Sequence, residues 1–355
     1  MSQKINVAVI GCGSIANCAH IPAYLKLDNV NIKYFCDIIP ERAQAAVEKY
    51  GCGKAVVDYK DFLDDPGLDA VSVCTHNDLH SVIAIDFLKA GKHVLSEKPA
   101  AKNLEEALKM QQTAHETGKI LNIGVCNRFG TQVNNIKKLI DDGELGEVYH
   151  VYASVRAHRS IPGIGGDFTN KAVSGGGALI DWGVHYIDLI LYCCGEPKPI
   201  TASGEAFCKL GKNIKDYVYT GMWASETAEP DGVYDVDDSV VGLVRTDGPV
   251  ISFNGAWAQN IGESETYIDF IGTKAGIRLQ YCGDFKLYST KNGALVSADV
   301  VSTHNNFYDE EIKSFIECVQ TGRHNQAYID YAIVTSKIMQ AIYDSSEQHK
   351  EIVIE

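Results

Sequence analysis

Residues 175–190 read GGGALIDWGVHYIDLI, a glycine tripeptide running into an apolar segment that carries Asp181 and His185 four residues apart. On a helix that spacing puts both side chains on one face. A carboxylate beside an imidazole favours the protonated ring and fixes its orientation. Such a histidine can take the proton of an alcohol while a hydride leaves the same carbon. Ile180, Val184, Ile187 and Leu191 follow helical spacing as an apolar stripe. Asp181, His185, Asp188 and Tyr192 form a second stripe, turned about 100° from the first. The glycines would let this helix start close to a bound ligand. The spacing implies no third ligand, so no metal is expected.

Two further motifs lie upstream. VAVIGCGSIA is a strand pattern followed by Gly11-x-Gly13-x-x-Ala16. The first glycine makes a tight turn, the second lets backbone approach a pyrophosphate, and the third position must be small for helix–strand packing. Ser14 and Ile15 complete this expected cofactor turn. Asp37 ends the next strand pattern, where an acidic side chain accepts from ribose hydroxyls and repels a 2'-phosphate. NAD is therefore favoured over NADP. GKHVLSEKPAA places Glu97-Lys98-Pro99 at the C-terminal end of another strand, the edge where open α/β sheets bind ligands. A lysine there can bond a substrate hydroxyl and steady its oxygen as charge develops. CTHNDLH (74–80) ends a neighbouring strand in the same way. Thr75, Asn77 and His80, with Glu97 and Lys98, are expected on the cofactor side. Taken alone, these motifs also fit a helix surface pair, a core histidine or a solvated lysine. Their combination reads as a dehydrogenase site.

The elements that must position them follow from hydrophobic periodicity. Short apolar runs at 5–11, 31–37, 70–74, 93–97 and 120–125 read as buried strands, with helical patterns between them. That alternation means a parallel sheet with crossover helices, a doubly wound Rossmann domain over residues 1–125. After a helix at 131–142 the pattern turns to strands at 148–158, 239–246, 250–259, 265–272 and 285–290. The hairpin signal Asp247-Gly248-Pro249 joins two of them. Helices interrupt only at 177–194 and 307–345. Residues 126–355 are thus expected to form an α+β domain on a large, mostly antiparallel open sheet. The overall class is α/β.

A chain of 355 residues fits two domains, and its 45% hydrophobic and 22% charged content is that of a globular protein. A net charge of −14 argues against a nucleic-acid partner. The eleven cysteines include no C-x-x-C pair and read as reduced, which suggests the cytoplasm. No signal peptide is evident, and no apolar run approaches the ~20 residues that span a bilayer.

The sequence resembles the Gfo/Idh/MocA family, the glucose–fructose oxidoreductase and inositol dehydrogenase group. The likeness covers essentially the whole chain. It rests on GCGSIA, CDIIPERA, CTHNDLH, AGKHVLSEKPAAKNLEEA, NRF (127–129) and GGGALIDWGVHYIDL. The chain departs from the usual Thr-Pro-Asn at Thr75-His76-Asn77, which bears on loop shape there. The resemblance implies that Lys98 bonds the reacting oxygen, that His185 is the general acid/base, and that Asp181 orients substrate and imidazole. It also implies a cis Lys98–Pro99 bond, and a homodimer or homotetramer built through the open sheet. Family substrates are mostly sugars and polyols. The segment 156–177 would wall the pocket, with His158, Arg159 and Asn170 offering donors and Asn127, Trp257 and His304 facing the same space. Many polar groups without a dense Arg/Lys cluster suit an uncharged glycoside or polyol better than a sugar phosphate. The expected reaction is oxidation of a secondary ring hydroxyl, at C3 of a glucoside, with NAD+. Redox-assisted glycoside cleavage with tightly held NAD, a non-catalytic sugar- or NAD-sensing regulator, and a reductase running the other way are the alternatives.

Overall fold

The computed structural model describes residues 4–219, 221–224 and 228–355. They form two compact units, Met1–Phe129 with Asn305–Ile333, and Gly130–His304 with Val334–Glu355. This division differs from a single cut after residue 125. Ile312, Phe315 and Ile316 return to one buried cluster of the first unit, and Ala327, Tyr328, Ile329 and Ile333 to another. An apolar helix face does not announce in sequence which core it will cover.

The first unit holds a parallel sheet of β1 (Ile5–Ile10), β2 (Val30–Cys36), β3 (Lys54–Val56), β4 (Ala70–Val73), β5 (His93–Ser96) and β6 (Leu121–Ile123). The order is β3-β2-β1-β4-β5-β6, doubly wound, with the ligand crevice expected where the order reverses, between β1 and β4. Strands β1, β2 and β4–β6 agree with the apolar runs. Strand β3 is a three-residue edge, too short to give a periodic signal. The helices are α1 (Ile21–Leu25), α2 (Pro40–Tyr50), α3 (Asn77–Lys89) and α4 (Leu104–Thr117). Helix α4 starts where the Asn103 side chain accepts from the Glu106 N–H at 2.9 Å. It stops at Gly118, which takes φ 64°.

The second unit starts with α5 (Thr131–Asp141) and holds nine strands: β7 (Val148–Arg156), β8 (Pro199–Phe207), β9 (Ser239–Thr246), β10 (Val250–Ala256), β11 (Glu265–Gly272), β12 (Ala275–Gln280), β13 (Phe285–Lys291), β14 (Ala294–Val300) and β15 (Ile352–Val353). Their order is β14-β13-β12-β11-β7-β10-β9-β8-β15. All neighbours are antiparallel except β7 and β10. Short α6 (Lys171–Ser174) and the buried α7 (Val184–Cys193) fall between β7 and β8. Val151, Ile251, Phe253, Ile268 and Ile277 pack from the sheet against Ile136 of α5 and Ile187 and Leu191 of α7.

The helical stretch expected over 307–345 is two helices, α8 (Phe307–Thr321) and α9 (Ile329–Gln348). Gly322, at φ 69°, ends α8. Strands β8, β12, β14 and β15 were not expected, because small or exposed residues blur their alternation. Among the described residues no helix is long and apolar enough to cross a membrane.

Candidate active site

In the first unit β1 runs into Gly11, whose φ is 86° and whose added Cβ would lie 2.5 Å from the Cys74 carbonyl oxygen. Only glycine fits there. At Gly13 a Cβ would meet nothing within 4 Å, so the turn is open on that side. Ser14 is exposed, Ile15 is half-buried and Ala16 is fully buried in the π-helical segment Ala16–His20 that precedes α1. Asp37 accepts from the Cys12 N–H at 2.9 Å and the Ile39 N–H at 2.9 Å. Its carboxylate thus braces the glycine turn and retains lone pairs for ribose hydroxyls. An open glycine turn with a buried carboxylate behind it fits the adenosine and pyrophosphate of NAD.

Thr75 and Asn77 are half-buried at the end of β4 and the start of α3. His80, expected on the cofactor side, is fully buried. Its Nδ1 lies 2.8 Å from the Pro99 carbonyl oxygen and its Nε2 3.1 Å from that of Thr75. It ties the two strand-end loops together instead of facing an open surface, and burial lowers the basicity of its ring. Glu97 is buried, Lys98 is half-buried, and Lys98–Pro99 is cis. Asn127 sits in a buried 3₁₀ turn, Cys126–Phe129.

In the second unit the glycine tripeptide has a different role from the one expected. A Cβ on Gly176 would collide with the Tyr343 hydroxyl, and one on Gly177 with the Asp237 carbonyl oxygen. The glycines therefore admit protein rather than ligand. Asp237 caps the helix entry. Its Oδ1 accepts from the Gly177 N–H at 2.8 Å and the Tyr343 hydroxyl at 2.7 Å, and its Oδ2 from the Leu179 N–H at 2.9 Å. A negative group at a helix N-terminus is favourable. Burial still pushes the Asp237 carboxyl up, against these hydrogen bonds. Nothing near 237 in sequence marks it as the partner of residues 175–179, so sequence reasoning missed it.

Asp181 lies in the π-helical segment Leu179–Gly183, directly before α7. Its Oδ2 accepts from the Trp257 indole N–H at 3.1 Å. Trp257, expected to face substrate, is fully buried and serves to hold this carboxylate. The two-stripe picture also changes. From Ile180 to Cys193 every residue is buried except Trp182 and His185, which are half-buried. His185 is thus a polar opening in an otherwise enclosed helix. Asp188 is buried, 3.5 Å from the Thr335 hydroxyl.

His158 and Arg159 both bond the Gln259 carbonyl oxygen, at 3.2 and 3.1 Å, beside the strand end that carries Trp257. The Asn170 side chain caps α6 by accepting from the Ala172 N–H. His304 is exposed and pairs with Asp284, at 3.0 Å, at the β12–β13 turn. Among the described residues no His, Cys, Asp and Glu cluster could hold a metal ion.

A doubly wound dinucleotide fold with this glycine turn, and a second unit presenting a fixed carboxylate one turn from a half-buried histidine, define a nicotinamide-dependent oxidoreductase. Residues 5–125 match the oxidoreductase family with an NAD-binding Rossmann fold, GFO_IDH_MocA, and residues 133–278 match the GFO/IDH/MocA C-terminal domain. D-glucoside 3-dehydrogenase of Escherichia coli (strain K12) is 31% identical over 98% of this chain and 96% of its own. A scyllo-inositol 2-dehydrogenase (NADP(+)) of Bacillus subtilis (strain 168) is 23% identical over 99% and 97%. The structure of levoglucosan dehydrogenase in complex with NADH and levoglucosan superposes with a TM-score of 0.85 at 22% identity, covering 99% of this chain and 100% of that one. The chain belongs to the Gfo/Idh/MocA oxidoreductases and is an NAD-binding enzyme of that family.

Which nicotinamide cofactor it prefers can be read at Asp37. Asp37→Ala should raise kcat/KM with NADP+ relative to NAD+ by about tenfold, the worth of one charge-assisted contact. Unchanged selectivity would mean that another group reads the ribose.

Proposed function

We propose that the protein oxidises a secondary ring hydroxyl of a sugar, glycoside or polyol, at C3 of a glucoside. The observation that carries this is the Asp181 carboxylate, fixed by Trp257 one turn from half-buried His185. The names of the relatives support the substrate class. In this reading Lys98 donates to the reacting oxygen, His185 takes its proton, and Asp181 orients the imidazole and a neighbouring hydroxyl. Bound NAD+ supplies the hydride acceptor. His158 and Arg159 offer donors to sugar hydroxyls. Copies of the chain pair through the outer face of the nine-stranded sheet, where Val241 and Tyr288 are exposed beside half-buried Tyr152 and Tyr267. Eleven free cysteines support a reducing compartment, the cytoplasm.

The test is incubation with NAD+ and methyl glucosides, glucose, levoglucosan, myo-inositol and scyllo-inositol, following NADH absorbance and product mass. NADH formation with a ketone lighter by two hydrogens, placed at C3 by NMR, is expected for methyl glucoside. A consumed glycoside and released methanol without NADH would replace this reading by redox-assisted cleavage. No conversion of any substrate in either direction would overturn it.

A further inference from the structure

Beneath Lys98 lies a buried polar chain with no part in the reaction above. The Tyr24 hydroxyl is 2.7 Å from Ser72 Oγ, Ser72 Oγ is 3.1 Å from His20 Nδ1, and His20 Nε2 is 2.8 Å from Glu97 Oε1. All four side chains are buried. The other oxygen, Glu97 Oε2, accepts from the Lys98 backbone N–H at 3.1 Å. A carboxylate only accepts, so His20 Nε2 carries the proton and Nδ1 takes the Ser72 hydroxyl, which in turn accepts from Tyr24. Every donor in the chain points toward Glu97. Gly124 leaves it room: a Cβ there would come within 3.1 Å of Oε1. A buried carboxylate is a weak source of stability, and apolar side chains of equal volume would serve packing as well. The chain has instead placed an accepting group directly behind the strand-end lysine.

We propose that Glu97, oriented by the His20 N–H, is the positioning residue of Lys98: it fixes the lysine backbone and sets a carboxylate behind its ammonium. The inference rests on the assignment of Lys98 to the reacting oxygen, since only the ammonium donates there. The ionisable groups around Glu97 are His20 from the π-helical segment, His80 from α3, Cys74 at the end of β4, Lys98 itself, and Cys126 and Tyr308 from the 3₁₀ turn and α8. His20 reaches Glu97 through its Nε2–H and Lys98 through its backbone N–H. Burial alone would raise the Glu97 carboxyl, yet the His20 bond and the neighbouring Lys98 charge hold it below its ordinary value.

Trace acetylation of the full-length protein with acetic anhydride across a pH series, with Lys98 followed by mass spectrometry, measures its titration without any substrate. In Glu97→Gln the Lys98 midpoint should fall by about one pH unit, the usual effect of losing an adjacent opposite charge. His20→Leu, which leaves Glu97 without its donor, should shift it the same way, and His20→Gln, which restores an N–H, should bring it back. A midpoint in both Glu97→Gln and His20→Leu that coincides with wild type would overturn the inference. If Glu97→Gln does not fold, the two His20 variants decide alone. Lost packing would not move a lysine midpoint. Because labelling needs no turnover, a failure here is separate from a failure of the Lys98 assignment, which the turnover of Lys98→Met reads.

Discussion

Lys98→Met and His185→Ala should each lower kcat by about 10²-fold or more, while the Kd for NAD changes less than about threefold. The scale is that of a single acid/base or oxyanion-stabilising group. Methionine keeps the length of the lysine stem and removes the charge. Lys98 is only half-buried and its backbone is held through Glu97, so the fold should not change. His185 is one of two half-buried positions on a buried helix, so alanine there opens little cavity. The two variants should differ in pH response. His185→Ala removes the proton acceptor and should flatten the acid limb of kcat/KM for alcohol oxidation, whereas Lys98→Met should flatten the basic limb. Titration calorimetry with NAD and thermal melts separate catalysis from binding and folding. Near-normal kcat in both variants would remove these residues from the reaction.

Gly177→Ala should cost about 3 kcal/mol or more and lower Tm by roughly 10 °C. The added methyl would overlap the Asp237 carbonyl oxygen, a backbone atom that cannot turn aside. Something must shift. The bonds at stake are those from Gly177 and Leu179 to the Asp237 carboxylate and from the Ala178 N–H to its carbonyl oxygen at 2.9 Å. These fix the first turn of the segment that carries Asp181. Any variant that still folds should therefore lose kcat well beyond its loss of stability at the assay temperature. Gly13→Ala is the control, because its Cβ meets nothing within 4 Å and the melt should be little changed. Equal melting of Gly177→Ala and wild type would show that the entry can relax, and the clamp would then not be rigid.

The parallel sheet was legible because its strands are buried on both faces and read as continuous apolar runs. Gly11, Gly13 and Asp37 were legible because a glycine turn after a strand is a local device. His80 was misplaced because a histidine held by two carbonyl groups looks, in sequence, like one facing a ligand. Trp257, expected to face substrate, instead holds Asp181, a contact between distant residues that leaves no mark in sequence. The Asp237 clamp and the chain from Tyr24 to Glu97 stayed hidden, because each joins residues far apart in sequence through contacts that leave no period. Strand β14 was invisible because most of its residues are exposed.

The return of residues 305–333 to the first unit bears on how the chain is made. The Ile123 N–H is satisfied by the Ala327 carbonyl oxygen at 2.9 Å, and Phe315 and Ile329 are completely buried there. Synthesis proceeds at about 5–20 residues per second, and domains ordinarily fold as they emerge. Here the dinucleotide fold, though encoded first, waits for residues 305–333 before its apolar faces are covered. During that interval Gly130–His304, the larger part of the second unit, is threaded between its two halves. The second unit in turn lacks Val334–Glu355 until later still, so the unit encoded first is also the first whose parts are all made, and NAD can stabilise it only once residue 333 has emerged.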